Sequence, residues 1–242
     1  MRRFLPAILS AIPLFAQSAE QRGWKVLEAA LKSAGGREKL AAVRDMSFDL
    51  QSRLSTAAGE VSVSSKNQLI FPDTVRQDMS MPVGTLTIAF NSREGWQKGP
   101  QGVQKIPPDH LRRTLAHLAR VNILFRPPAG PSGVRWVAAE PVEGHACDVI
   151  EITSLGDPLR LWVDRGNGEV LKRAYRVENS LGGMANVEEF LSDYRDVDGL
   201  HLSFKVRELR DGKFARESAT GTMRLNTSLK AGDVLQGLGP GH

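Results

Sequence analysis

The chain has 242 residues, 41% of them hydrophobic and 6% aromatic, with 23 glycines. This is enough apolar material to bury a core, which excludes a disordered chain, and the glycine count suits hairpin-rich β-structure better than a helical bundle. The formal charge of +5 is scattered among acidic residues instead of forming a basic block, so nothing supports nucleic-acid binding, and only a weak, transient attraction to an anionic membrane surface is expected.

The chain opens with MRRFLPAILSAIPLFAQSAEQ, in which two arginines precede an apolar run from Phe4 to Phe15 and small residues follow at Ala16, Ser18 and Ala19. That order is a secretory signal peptide over residues 1–18, cleaved after Ala16 or Ser18. The run is shorter than the roughly 20 apolar residues of a spanning helix, so the mature protein is expected to be soluble and, after crossing the inner membrane, periplasmic. The one cysteine, Cys147, lies far beyond the apolar run, so it offers neither an N-terminal lipid attachment nor an internal disulfide.

Residues 19–227 read as a single domain. EQRGWKVLEAALKSAGG puts Trp24, Leu27, Leu31 and Ala34 near one helical face and ends in Gly35-Gly36, a C-cap, and REKLAAV adds a short turn. From Met46 the period becomes two. Met46, Phe48, Leu50 and Leu54 alternate with polar residues, and the same pattern returns in Val61, Val63, Leu69 and Phe71, then Val75, Met79 and Met81, then Leu86, Ile88 and Phe90. TAAG, Pro72-Asp73 and Pro82 mark the turns of this four-strand meander. A loop around Ser92–Gly95 and Lys98–Pro100 leads into IPPDHLRRTLAHLARVNILF, a helix started by Pro108-Asp109 with Leu111, Leu115, Leu118 and Phe125 near one side and RPPAGPSG at its end.

The second half returns to strands: VRWVAA, CDVIEIT, LRLWVD, EVLKRAYRV, ANVEEFLSDY, LHLSFKVREL and KFARESATGTMRLN. The turns fall at Gly156-Asp157-Pro158, Gly166-Asn167-Gly168, Leu181-Gly182-Gly183, Asp198-Gly199 and Asp211-Gly212. Such regular spacing predicts a mainly β fold, a curved antiparallel sheet in the form of a barrel or sandwich. Trp162 has the opposite parity to Leu159, Leu161 and Val163, so both faces of its strand are apolar and the second needs a cover. The tail over 228–242 is expected to fray.

No catalytic, metal or cofactor signature appears: G-x-S-x-G, H-E-x-x-H, a Walker loop and a dinucleotide fingerprint are all missing. His145 and Cys147, two apart on a strand, would be a base and thiol nucleophile of a hydrolase, but no third orienting residue accompanies them, and a small buried thiol accounts for Cys147. Asp193, Asp196 and Asp198 before Gly199 resemble a calcium loop, yet Tyr194 and Lys205 occupy its ligand positions, so a hairpin turn explains the stretch. His110 and His117, seven apart, lack the further donors of a zinc site. Trp96, Trp136 and Trp162 with Met79, Met81, Phe71 and Phe90 either fill a core or line a cavity.

An exported chain with an amphipathic helix, a strand meander, an inserted helix, hairpins containing LWVDRGNGEVLKRAYRV, then DYRDVDGLHLSFKVRELRDGK and TGTMRLNTSL, resembles the outer-membrane lipoprotein-sorting proteins, the LolA/LolB-like superfamily. The resemblance is carried by Leu161-Trp162-Val163-Asp164 with its Gly-Asn-Gly turn and by Tyr194–Leu200. It implies a strongly curved antiparallel sheet, an incomplete β-barrel, covered by the N-terminal and the inserted helix. The implied function is non-catalytic: a carrier that holds the acyl chains of a lipid or acylated lipoprotein. Expected cavity residues are Phe71, Met79, Met81, Ile88, Phe90, Leu111, Leu115, Leu118, Trp136, Leu161 and Trp162. Arg44 and Arg53 lie in the region where the family's carriers hold the cavity closed. The alternative partner is another envelope protein, docked by an interaction module with a packed interior.

Overall fold

A computed structural model describes residues 18–153, 157–178 and 183–238. The stretch before Ser18 that was expected to be a signal peptide, Gly156 and the Leu181-Gly182 pair lie outside the described residues. Helix α1 (Ala19–Ser33) starts at Ser18, whose hydroxyl accepts from the Gln21 amide while the Gln21 side chain accepts from the Ser18 amide. This reciprocal cap satisfies two of the donors a helix start leaves free. Leu27, Ala30 and Leu31 form its buried face, and Gly35 and Gly36, at φ 113° and 101°, carry the chain into α2 (Arg37–Ala42).

Six strands follow: β1 (Asp45–Thr56), β2 (Gly59–Ile70), β3 (Thr74–Met81), β4 (Gly84–Phe90), β5 (Gly95–Gly99) and β6 (Gly102–Lys105). The first four match the alternating segments. The last two occupy the stretch expected to be a loop, because five and four residues rich in glycine, lysine and glutamine carry no apolar alternation. Helix α3 (Pro108–Val121) then leads to β7 (Val134–Val142), β8 (His145–Ile152), β9 (Leu159–Asp164), β10 (Val170–Glu178), β11 (Met184–Val197), β12 (Leu200–Arg210) and β13 (Lys213–Leu225). The tail does not fray over its described part. Helix α4 (Ala231–Leu235) packs on β3, Val234 and Leu238 are buried, and Arg76 Nη1 donates to the Gln236 carbonyl at 3.0 Å.

All the strands join one antiparallel sheet in the order β6-β5-β4-β3-β2-β1-β13-β12-β11-β10-β9-β8-β7, open at β6 and β7. The first meander runs from the middle of the sheet out to one edge; the second begins at the other edge and runs back until β13 lies beside β1. The segment that joins the two meanders must therefore cross the sheet from edge to edge. It contains α3 and the 122–133 loop, and that crossing makes it the cover of one face.

The covered, inner face carries the main core, which joins α1 (Leu27, Leu31) and α2 (Leu40) to Leu159, Leu161 and Val163 of β9 and to Ile123 and Phe125 after α3. Trp162 points the other way. It forms an outer cluster with Val142, Cys147 and Val149, with the Lys172 ammonium 4.5 Å from its ring centre and the Glu140 carboxylate accepting from its indole at 2.9 Å. The cover that the second apolar face required is thus no helix but neighbouring side chains, among them a lysine stem laid over the ring.

Candidate functional site

A cavity of about 310 Å³ lies between the inner face of β1 and β9–β13 and the segment from His117 to Phe125. Strand alternation explains its wall: Met46, Phe48 and Leu50 of β1 and Arg216, Ser218 and Thr220 of β13 share inward parity, and a bulge between Phe48 and Leu50 brings Met223 onto the same side. Val121, Ile123, Leu124 and Phe125 form the roof, while Leu161, Val170, Leu191, Leu202 and Val206 complete the apolar lining.

One row of the inner face is charged. Cross-strand pairing places Arg173 opposite Glu189, Glu189 opposite Glu208, and Glu208 opposite Arg216, in line with Leu161 on one side and Leu54 on the other. Two buried carboxylates thus lie side by side among three guanidinium groups, since Arg210 Nε also donates to Glu208 at 2.6 Å. Arg173 donates to Glu189 through Nε and to the Val121 carbonyl at 2.8 Å, which ties the row to the end of α3. Arg216 Nη2 is 2.9 Å from Glu208 and 3.6 Å from Glu189, so it screens the repulsion between them. Glu189 Oε1 and Arg216 Nε are sealed from solvent and have no hydrogen-bond partner.

Burial alone would keep Glu189 protonated, but Arg173 beside it outweighs that penalty and holds the carboxyl below its ordinary range. Burial lowers the His117 pKa, so this imidazole, 5.7 Å from the Tyr175 ring centre, is neutral at pH 7. Burial also pushes the Tyr175 and Tyr194 hydroxyls up, keeping both protonated. At the far end of the cavity His201 is raised by hydrogen bonds with Asp196 at 2.7 Å and Glu169 at 3.0 Å.

Three further carboxylates tie α1, the strands β7–β9 and the β9–β10 turn together. Each meets a burial penalty that its donors outweigh: Arg165, Trp136 and Arg22 at Asp148, Arg160 and Arg135 at Glu151, and the Gly166 amide and His145 at Asp164. A group with a depressed folded-state pKa stabilises above its unfolded value and loses that contribution as pH falls through the folded value. Glu189, Asp148, Glu151 and Asp164 all have that sign, and His117, whose neutral form the fold prefers, adds a loss below its ordinary 6.5. His201 has the opposite sign, with its contribution complete below about 6.5, but it is partly exposed and screened by solvent. The thermal midpoint followed by circular dichroism should therefore drop steeply once the pH falls below about 4. A midpoint unchanged down to about pH 3 would contradict the ionised state of these groups.

Of the residues expected to line a cavity, Leu161 does so. Phe90 and Leu111 pack with Ile106, Ile88, Leu115 and Leu118 in a separate cluster between α3 and the first meander. The Phe71 ring lies tilted against Phe125 of the roof, 5.0 Å between centres, and is not part of the lining. Met79 and Met81 stand half-buried on β3. Trp136 is held by Asp148 at 2.7 Å with the Arg22 guanidinium 3.7 Å from its ring centre, and Trp162 faces outward.

Arg44 and Arg53 are absent from the lining. Arg53 ion-pairs with Glu60 and Glu217 instead, and Arg44 donates its amide to Asn226. Cys147 is buried, its Sγ is 3.5 Å from the His145 carbonyl, and burial raises its pKa, the reverse of an activated thiol. The His145 imidazole bonds Asp164 at 2.8 Å. Asp198-Gly199 forms the β11–β12 turn, with Asp193 paired to Arg195 and Asp196 to His201. His110 is exposed while His117 lines the cavity. Among the described residues no three His, Cys, Asp or Glu side chains are grouped as metal ligands, and no helix is long and apolar enough to cross a membrane.

In sequence the chain matches no family model and no curated protein. Solved structures do match it. An outer membrane lipoprotein-sorting protein domain from Vibrio parahaemolyticus is 14% identical over 88% of this chain and 97% of its own, with a TM-score of 0.54. A DUF1329 family protein from Desulfovibrio piger is 12% identical over 90% and 97%, at 0.57. The LolA superfamily protein NE2245 from Nitrosomonas europaea is 13% identical over 88% and 96%, at 0.54. At these identities the likeness is one of fold, and it spans nearly the whole of each structure: this chain has the open-barrel fold of the LolA-superfamily lipoprotein-sorting structures.

Proposed function

We propose that the protein is an exported, non-catalytic carrier that binds the acyl part of a lipid or acylated lipoprotein in the cavity under α3. The observation that carries this reading is the cavity itself, bounded by Met46, Phe48, Leu124, Phe125, Leu202 and Met223 at its apolar end. A sheet whose interior served only to fold would fill that space with side chains. About 310 Å³ is at the low end of the range for ligand pockets, roughly 300–1,000 Å³. Each methylene moved into it from water contributes about 0.8 kcal/mol, so one chain of moderate length supplies useful affinity. The fold likeness to lipoprotein-sorting structures supports the same reading.

Export is part of the proposal, and it bears on the cleavage site. Ser18 is the cap of α1, so cleavage after Ala16 keeps the cap whereas cleavage after Ser18 removes it, at about 1 kcal/mol. Mass spectrometry of the mature chain is expected to find Ser18 retained.

Native mass spectrometry of protein taken from its own compartment should show co-purified lipid, and the delipidated protein should bind a fluorescent fatty-acid analogue. Met223→Trp, which fills the apolar end from β13, should weaken uptake at least about tenfold without unfolding the chain. A folded Met223→Trp variant that binds as the parent does would rule out this cavity as the lipid site.

A further inference from the structure

Resting on the carrier reading, we infer that the cavity selects cargo with a single negative charge at its polar end, the carboxylate of a long-chain fatty acid, seated on Arg216 and Arg210. The lining is segregated along the strands. On β13 the inward residues pass from Arg216 through Ser218 and Thr220 to Met223, and on β1 Leu50 and Phe48 lie opposite Thr220 and Met223. Phe48 and Met223 join the core that holds Leu40 of α2, whereas Arg216 stands near the β12–β13 hairpin that Arg210 and Lys213 close. A hydrocarbon chain therefore fits the Phe48–Met223 end, and a polar group fits the Arg216 end.

The charges at that end do not cancel. Arg173, Arg210 and Arg216 share only Glu189 and Glu208, which leaves one positive charge over. Lys213, set opposite Arg210 on the same side of the sheet, makes no ion pair among the described residues and adds to the surplus. Neighbouring groups do not remove it: Glu60 and Glu217 pair with Arg53, Glu217 also with Lys205, and Glu188 with Lys172, while on α3 Arg113 pairs with Glu178 and burial keeps His117 neutral. A neutral polar end would leave this surplus unmatched, a cation would be repelled, and a monoanion balances it.

Free donors are in place for it. Arg210 spends its Nε on Glu208, and its side chain is 59% exposed with both terminal nitrogens unengaged. Arg216 turns Nη2 to the glutamates, but its Nη1 has no hydrogen-bond partner and, unlike its Nε, is not sealed from solvent. Both guanidinium groups are held by Glu208, which is only 4% exposed, so they are positioned before any cargo arrives. Charge-assisted bonds from such donors to a carboxylate are roughly twice as strong as neutral ones. The opposite end offers no such seat, because its polar groups are engaged: His201 bonds Asp196 and Glu169, and the Tyr194 hydroxyl donates to the Val170 carbonyl at 2.7 Å.

The test is displacement of the neutral dye N-phenyl-1-naphthylamine from the delipidated mature protein by three amphiphiles of one chain length: dodecanoate, monododecanoylglycerol and dodecylammonium. At about pH 8, where the acid is ionised, dodecanoate is expected to displace the dye at about tenfold lower concentration than the monoacylglycerol, with the ammonium weaker still. Equal or tighter binding of the monoacylglycerol or the ammonium overturns the anion seat while leaving the carrier reading standing. A protein that takes up neither the dye nor any of the amphiphiles overturns both. In Arg216→Gln, checked for folding by circular dichroism, the preference for dodecanoate should fall below about twofold. Arg210→Gln changes an exposed side chain and should cut the preference at least about threefold in a folded protein, so it carries the test if the first variant does not fold. A full preference in either folded variant refutes the seating.

Discussion

Replacing Glu189 with leucine should cost about 3–5 kcal/mol of unfolding free energy, measured by urea denaturation at pH 7. Glu189 is fully buried, and its removal leaves the guanidinium of Arg173, itself only 13% exposed, facing apolar neighbours without its carboxylate. Leaving a charge uncompensated costs far more than the pair is worth, so a second change should give part of the loss back. The double variant Arg173→Met with Glu189→Leu should be more stable than Glu189→Leu alone, giving a coupling energy of about 0.5–3 kcal/mol. Recovery will be incomplete, because Arg173 also donates to the Val121 carbonyl and so anchors the roof of the cavity. If Glu189→Leu is as stable as the parent, the row is not the buried ion network described here.

That row also shows what the sequence made legible and what it hid. Alternation located β1–β4 and β7–β13, since Leu200, Leu202, Phe204 and Val206 advertise one face. Extending the same count by one step reaches Glu208, and in β11 Val187 and Leu191 bracket Glu189. A carboxylate on the apolar parity of a strand was the available signal. It goes unread when polar residues are assigned to the wet face as a class, and no local pattern shows that Glu189 and Glu208, nineteen positions apart, lie side by side.

The cavity lies away from the largest aromatic side chains for a related reason. Aromatic size nominated Trp136 and Trp162, but parity had already set Trp162 against Leu161, and the side with the helices is the side of Leu161. The meander of β3–β4 does carry apolar residues inward, yet α3 lies close enough there for Phe90, Ile106 and Leu111 to pack without a gap, and the open space falls under the helix's C-terminal end instead. Which end of a helix fits tightly depends on the path of the crossing segment, and that follows from strand order, a long-range property that periodicity does not report. The short strands β5 and β6, the outermost pair at the β6 edge, carry no such signal because strands of five and four residues near an exposed edge need no apolar face.

Gly23 is where the direction of a stability change tests how α1 sits on the sheet. On an isolated or loosely docked helix, Gly23→Ala would raise stability by about 1 kcal/mol, because alanine is the better helix former. Here a β-carbon at Gly23 would stand 2.6 Å from the backbone carbon of Arg135 and from the backbone nitrogen of Trp136. Both atoms belong to β7, so no side-chain rotation can make room and the helix must lift. Lifting it disturbs the Arg22 guanidinium over Trp136, the Arg22–Asp148 ion pair and the packing of Leu27 and Leu31, all of which hold the otherwise open β7 edge. Overpacking of this kind costs about 1–3 kcal/mol, and the helix-propensity gain offsets only part of it. Gly23→Ala should therefore lower the urea midpoint, and Gly23→Val, bulkier and poorer in helix propensity, should lower it further. An increase in midpoint for Gly23→Ala would mean that α1 rides clear of β7, and the core under Leu27 and Leu31 would then need another explanation. The close approach also says why the position is glycine in the middle of a helix that otherwise favours alanine, leucine and lysine: only a residue without a β-carbon lets the helix axis come near enough to seal that end of the inner face.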